Sequence, residues 1–120
     1  MKHKNVFESL STALSGLLFA LRQQKNIQYL TAITIAVIGV SPFLRLSITE
    51  YMILSITIVL VLITELLNSG VEYAIDLITD EHNHLAKAAK DVAAAAVLVA
   101  CANAVVIAGL FLVSRYWGQT

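Results

Sequence analysis

Three long apolar runs constrain this chain more than any motif does. Residues 27–44 and 92–114 contain no charged side chain, and residues 48–64 contain only Glu50. A helix needs about 20 mainly apolar residues to cross a bilayer, so the third run is ample and the first two just suffice. Lipid offers no partner for backbone N–H and C=O groups, and three strands cannot close a barrel, so the runs must span as helices. The composition agrees. Of the 120 residues, 58% are hydrophobic and 13% charged, more apolar surface than so short a soluble chain could bury.

The expected fold is therefore all-α and integral to the membrane, as one domain over residues 1–120. Residues 6–22 place Phe7, Leu10, Leu14, Leu17, Leu18 and Leu21 on one helical face, against Glu8, Ser9, Ser11, Thr12, Ser15 and Arg22. That pattern predicts an amphipathic helix lying on the membrane surface. Three transmembrane helices follow, over 27–45, 48–78 and 92–115, the second continuing past the hydrocarbon on the cytoplasmic side. Residues 79–91 form a cytoplasmic loop and the start of the last helix. Pro42 ends the first span near Ser41, and Ser47 with Glu50 three residues later predicts a capping box opening the second. Asn103, in mid-span, is expected to hydrogen-bond a neighbouring helix.

Lys2, Lys4, Arg22, Lys25, Lys87 and Lys90 fall on one side of the spans, and only Arg45 and Arg115 on the other. By the positive-inside rule the N-terminus and the 79–91 loop are cytoplasmic, in a multi-pass membrane protein. No cleavable signal peptide is expected. The formal net charge is zero, which gives no basic field for nucleic acid. The lone Cys101 forms no disulfide within the chain and reads as a small hydrophobe.

The chemistry lies at the end of the second span. With about 100° of turn per residue, Glu65, Asn68, Ser69, Glu72 and Asp76 share one face of a helix. Carboxylates near membrane depth are costly and turn towards a bundle interior or a watery cavity. A structural network, with a protonated Glu65 fixing helix register, would account for one such residue. Two glutamates and an asparagine on one line, continuing to Asp76, favour a site. Closely spaced carboxylates at a wet interface suit Mg²⁺, and a deeper one suits a general base for a hydroxyl. Lys87, Lys90 and Asp91 add charge from the next helix, and metal, lysine and base are what phosphoryl transfer requires. His82 and His84 lack a third ligand for zinc. No Walker, Rossmann or protein-kinase motif is present.

These residues carry a family resemblance. Glu65-Leu-Leu-Asn68-Ser69-Gly-Val-Glu72-Tyr-Ala-Ile-Asp76, with Ala86-Lys87-Ala-Ala-Lys90-Asp91 downstream, resembles the prokaryotic diacylglycerol kinase family, which includes undecaprenol kinases. The resemblance implies a homotrimer that uses MgATP to phosphorylate a membrane lipid alcohol at the cytoplasmic interface, with the active site between subunits. It implies Glu65 as catalytic base with Asn68 supporting it, and Glu72 as a Mg²⁺ ligand. Glu72, Asp76, Glu81, His82, Asn83, Lys90 and Asp91 are then the nucleotide-binding set: Glu81 and His82 by the phosphates, Lys90 and Asp91 by the adenine. Two positions depart from the pattern. Gln24 stands where the family has a second metal-binding glutamate, and Asn5 where it has an arginine.

The sequence reading is thus an ATP-dependent lipid kinase. Thr79-Asp80-Glu81-His82, the 85–91 segment and Ala94 favour the undecaprenol branch, with diacylglycerol as the alternative lipid. A different class, a non-enzymatic oligomeric transporter or channel subunit with Glu65 as its ionisable relay, would have no use for Lys90 and Asp91. A homologue with reduced activity is a third reading, motivated by Gln24.

Overall fold

The computed structural model describes residues 5–79 and 81–117. Lys2 and Lys4, used above for orientation, and Asp80, used for the branch, lie outside them. The described residues are helical: α1 (Val6–Gln23), α2 (Lys25–Val40), α3 (Ile48–Ile78) and α4 (His84–Trp117), with a 3-10 turn at Ser41–Leu44. Three segments are long and apolar enough to cross a membrane: Lys25–Leu44, Ile48–Ile78 and His84–Trp117.

Local chemistry sets each boundary. Asn5 Oδ1 accepts from the Glu8 N–H at 2.8 Å, so the residue standing in place of an arginine is the N-cap of α1. The first break is a single residue. Gln24 has extended backbone angles (φ −109°, ψ 113°), and its N–H still bonds Ala20 O. Gln28 Nε2 reaches back to Leu21 O at 2.9 Å, capping the end of α1. α2 stops at Val40 because Pro42, in the 3-10 turn that follows, has no N–H to continue the ladder. The span expected over 27–45 is thus a shorter α-helix, begun two residues earlier and closed by that turn.

The chain then reverses through Arg45, the only non-glycine residue with positive φ (52°) among those described. Ser47 and Glu50 form both halves of the capping box, at 3.1 and 3.0 Å. Arg115, near the end of α4, donates to Arg45 O at 3.3 Å and to Glu50 at 3.4 Å, tying the last helix to this turn. At the opposite end Asn83 Oδ1 accepts from the Leu85 and Ala86 N–H groups, at 2.8 and 3.2 Å. Residues 84–91 are therefore already helix, and the helix start expected within 79–91 falls at His84.

α3 has 31 residues and α4 has 34. At about 1.5 Å per residue both exceed the roughly 30 Å of hydrocarbon by several turns. Those extra turns carry Glu72 and Asp76 on α3, and Lys87 and Lys90 on α4. α3 is the packed centre, and its longest contact is with α4. Among the described residues only Ala20, Ile27, Val61 and Ala100 are buried apolar ones, whereas Ser41, Thr57, Glu65, Asn68 and Ser69 are buried polar ones. A fold with a polar seam and apolar flanks is arranged for lipid rather than water. Thr31, Thr34 and Thr57 satisfy their hydroxyls on carbonyls one turn back, each at 2.7 Å. Asn103 is exposed on α4 in the single chain.

Removing the Ser47 hydroxyl leaves an N–H of α3 without its cap. Ser47→Ala is expected to cost about 1 kcal/mol. Amide exchange at residues 49–51 should speed up in detergent micelles, and unchanged exchange there would show that the cap does not hold the helix start.

Candidate functional site

The α3 stripe descends from buried to exposed over about three turns. Glu65 is 4% exposed, Asn68 8%, Glu72 half-buried and Asp76 exposed. Glu65 sits beneath the α1–α2 elbow, where Asn26 Nδ2 donates to its Oε1 at 3.4 Å. One turn on, Asn68 Nδ2 donates to Glu72 Oε1 at 3.4 Å, joining two residues of the stripe directly. Asn68 Oδ1 and Ser69 Oγ are buried with no partner among the described residues. Leaving such atoms unpaired costs about 1–3 kcal/mol each, so the stripe has unmet capacity for a ligand or water.

The elbow makes a second contact. Gln24 Nε2 donates to the hydroxyl of Tyr73, the neighbour of Glu72, and the Tyr73 ring stands edge-on to Phe19 with centroids 5.6 Å apart. Neither Asn26 nor Tyr73 stood out in the sequence. Asn26 was legible only as a polar residue just ahead of a span, and Tyr73 falls on the apolar side of the α3 pattern.

No three His, Cys, Asp or Glu side chains cluster as a metal cage among the described residues. The two donors expected for a cation, the Glu72 carboxylate and the Gln24 amide, meet Asn68 and Tyr73 respectively in this structure. That hard, sparse set fits Mg²⁺, which takes one or two carboxylates and completes its shell with water and phosphate. Zinc would require more side-chain ligands.

A pocket of about 290 Å³ lies between the C-terminal end of α3 and the N-terminal end of α4. It brings together Asp76, Glu81, His82, Asn83, Lys90 and Asp91 from the sequence-derived set, with Thr79 and Lys87. Glu65, Asn68 and Glu72 lie outside its lining, farther up the stripe. Lys90 and Asp91 do not pair with each other, because neighbours on a helix point about 100° apart. Lys90 crosses to Asp76 at 2.7 Å, and Lys87 bonds Asp91 one turn along at 2.6 Å. Asn83 contributes less than a free side chain would, since its carbonyl oxygen already caps α4. On the other flank of the α3–α4 seam is an apolar groove of about 650 Å³, walled by Leu67, Val71, Ala89, Val92, Ala93 and their neighbours, with Asn68 at its edge.

Residues 11–112 match the family model described as prokaryotic diacylglycerol kinase. The chain is 43% identical to an undecaprenol kinase of Bacillus subtilis (strain 168), across 78% of this chain and 76% of that protein. It is 38% identical to a diacylglycerol kinase of Synechocystis sp., over 90% of this chain but only 62% of the longer relative. A diacylglycerol kinase of Pseudomonas aeruginosa is 33% identical over 81% of this chain and 79% of its own length.

The Lys90–Asp76 bridge is too exposed, at 40% and 61% of the two side chains, to hold α3 against α4 by itself. A double-mutant cycle with Lys90→Met and Asp76→Asn is expected to give a coupling below about 1 kcal/mol in unfolding free energy. A coupling of several kcal/mol would make the pair a structural lock rather than a poised part of the pocket.

Proposed function

Because the chain belongs to the prokaryotic diacylglycerol kinase family, we propose that it is a lipid kinase that transfers the γ-phosphate of ATP to the hydroxyl of a membrane lipid alcohol. The lipid is undecaprenol in preference to diacylglycerol. The identity to the Bacillus subtilis undecaprenol kinase exceeds that to the two diacylglycerol kinases above. The reaction takes place at the cytoplasmic face of a bacterial inner membrane, with the N-terminus cytoplasmic, in a homotrimer whose subunits cover the exposed helix flanks.

The observation that carries this reading is the position of Glu65. It is buried, one turn from the Asn68–Glu72 bond and about three helical turns along α3 from the pocket that Asp76 and Lys90 line. As the lipid hydroxyl oxygen attacks the γ-phosphorus, its proton passes to the Glu65 carboxylate. The bond between γ-phosphorus and the bridging oxygen breaks, and ADP leaves. Asn26 holds Glu65 towards the elbow, and Asn68 holds Glu72 by its amide. Glu72 and Gln24 would hold Mg²⁺, which when bound neutralises the charge of the phosphate oxygens. Glu81 and His82 face the phosphates, with Asn83 beside them. Lys90, held only by a solvent-exposed partner in Asp76, is free to turn to the nucleotide, and Asp91 completes its adenine side. The apolar groove beside Asn68 can take part of the lipid chain.

Purified protein with labelled ATP and Mg²⁺ is expected to label undecaprenol more strongly than diacylglycerol. Absence of product from both lipids and from short-chain analogues would end the proposal. Glu65→Gln should lower turnover by about 10²–10⁴-fold, the usual contribution of a general base. ATP affinity should be retained, and its loss in that variant would contradict the role assigned to Glu65.

A further inference from the structure

Gln24 is an unusual donor for a hard cation, because a carboxamide ligates only through its oxygen. A carboxylate has two equivalent oxygens, and either one can face the metal. A carboxamide rotated by half a turn presents N–H groups instead, which repel a cation. The terminal torsion of glutamine is broad and nearly two-fold, so nothing intrinsic to the side chain selects the ligating orientation. Some neighbouring group has to select it.

The backbone of Gln24 is already held. Its N–H bonds Ala20 O at 2.9 Å, and its carbonyl accepts from the Gln28 N–H at 3.1 Å. The side chain is half-buried, and its one hydrogen bond among the described residues runs from Nε2 to the Tyr73 hydroxyl. Tyr73 is in turn steadied by the edge of Phe19. A hydroxyl that accepts from Nε2 fixes the polarity of the amide plane and leaves Oε1 as the atom turned to another partner.

We propose that Tyr73 is a positioning residue for the cation site. Its hydroxyl orients the Gln24 amide so that Oε1 is the atom offered beside Glu72, which adapts the site to a ligand without charge. This rests on the reading of Gln24 and Glu72 as cation ligands. Groups behind a metal ligand act by aligning it, and removing one commonly lowers metal affinity about tenfold or more. The effect of Tyr73 reaches the cation only through Gln24, so its loss cannot exceed the loss caused by removing Gln24 itself.

The test is Mn²⁺ binding to the full chain in lipid nanodiscs without nucleotide, read by electron paramagnetic resonance. Tyr73→Phe keeps the ring against Phe19 and removes only the hydroxyl. It is expected to weaken Mn²⁺ binding about tenfold, by no more than Gln24→Ala does, with the thermal unfolding midpoint and the KM for lipid unchanged. In a Gln24→Glu background the same change should have almost no effect, because a symmetric carboxylate needs no orienting. An equal loss in both backgrounds, or no loss in either, would overturn the proposal. So would tighter binding in Tyr73→Phe, which would mean that the tyrosine O–H donates to Oε1 and blocks it. If Gln24→Ala and Glu72→Gln both leave Mn²⁺ binding intact, the cation site itself has been misplaced. If only the tyrosine variant is silent, the site stands and the orienting role falls.

Discussion

A carboxylate at the edge of the hydrocarbon cannot face lipid, and that requirement fixes the rotation of α3. With Glu65 turned inward, Thr57, Val61, Asn68 and Ser69 must turn inward too, because they lie within the same face. Leu67, Val59 and Leu60 are then left to the bilayer. The other helices arrange themselves around this seam. α4 packs along it with its small residues, and the α1–α2 elbow closes over it at Glu65 and Tyr73. The usual order of a soluble fold is inverted: the polar side chains are buried, and most of the large apolar ones are exposed.

The seam also explains why the elbow is so short. Gln24 is at once the last cap of α1 and the first of α2. α1 and α2 are therefore joined by a single extended residue. The three amides around the break, Gln24, Asn26 and Gln28, divide the work. Gln28 closes the end of α1, while the other two reach α3 at Tyr73 and Glu65. Uncharged amides can bridge helices at this depth without the desolvation penalty of an ion pair. The charged contacts lie at the two wet ends instead: Arg115 with Glu50 at one, Lys90 with Asp76 at the other.

Much of the fold was legible in the sequence because its causes are local. Apolar run length reports a span, and the 3.6-residue period of residues 6–22 reports a helix at an interface. Pro42 and the Ser47–Glu50 spacing report a turn and a cap, and the structure forms both. The spacing of Glu65, Asn68, Glu72 and Asp76 made a shared helical face visible for the same reason. What stayed hidden depends on pairing between helices distant in sequence. Lys90 and Asp91 are adjacent in the chain, yet one bonds α3 and the other bonds Lys87. Asn83 was grouped with nucleotide ligands, and its role as the cap of α4 appeared only with the helix start. Asn103 is exposed in the single chain, and which face of α4 is covered is not a local property.

The sequence by itself determined that this chain lives in a bilayer as three spans and a surface helix. It also determined that its acidic residues fall on one side of the second span. Both follow from hydrophobicity and helical period, which act residue by residue. Only the tertiary structure decided how the stripe is completed. Asn26 meets Glu65, Tyr73 meets Gln24, and the ends of α3 and α4 enclose the pocket around Lys90. Those contacts join residues far apart in the chain, and their geometry is set by how the helices pack rather than by any single helix.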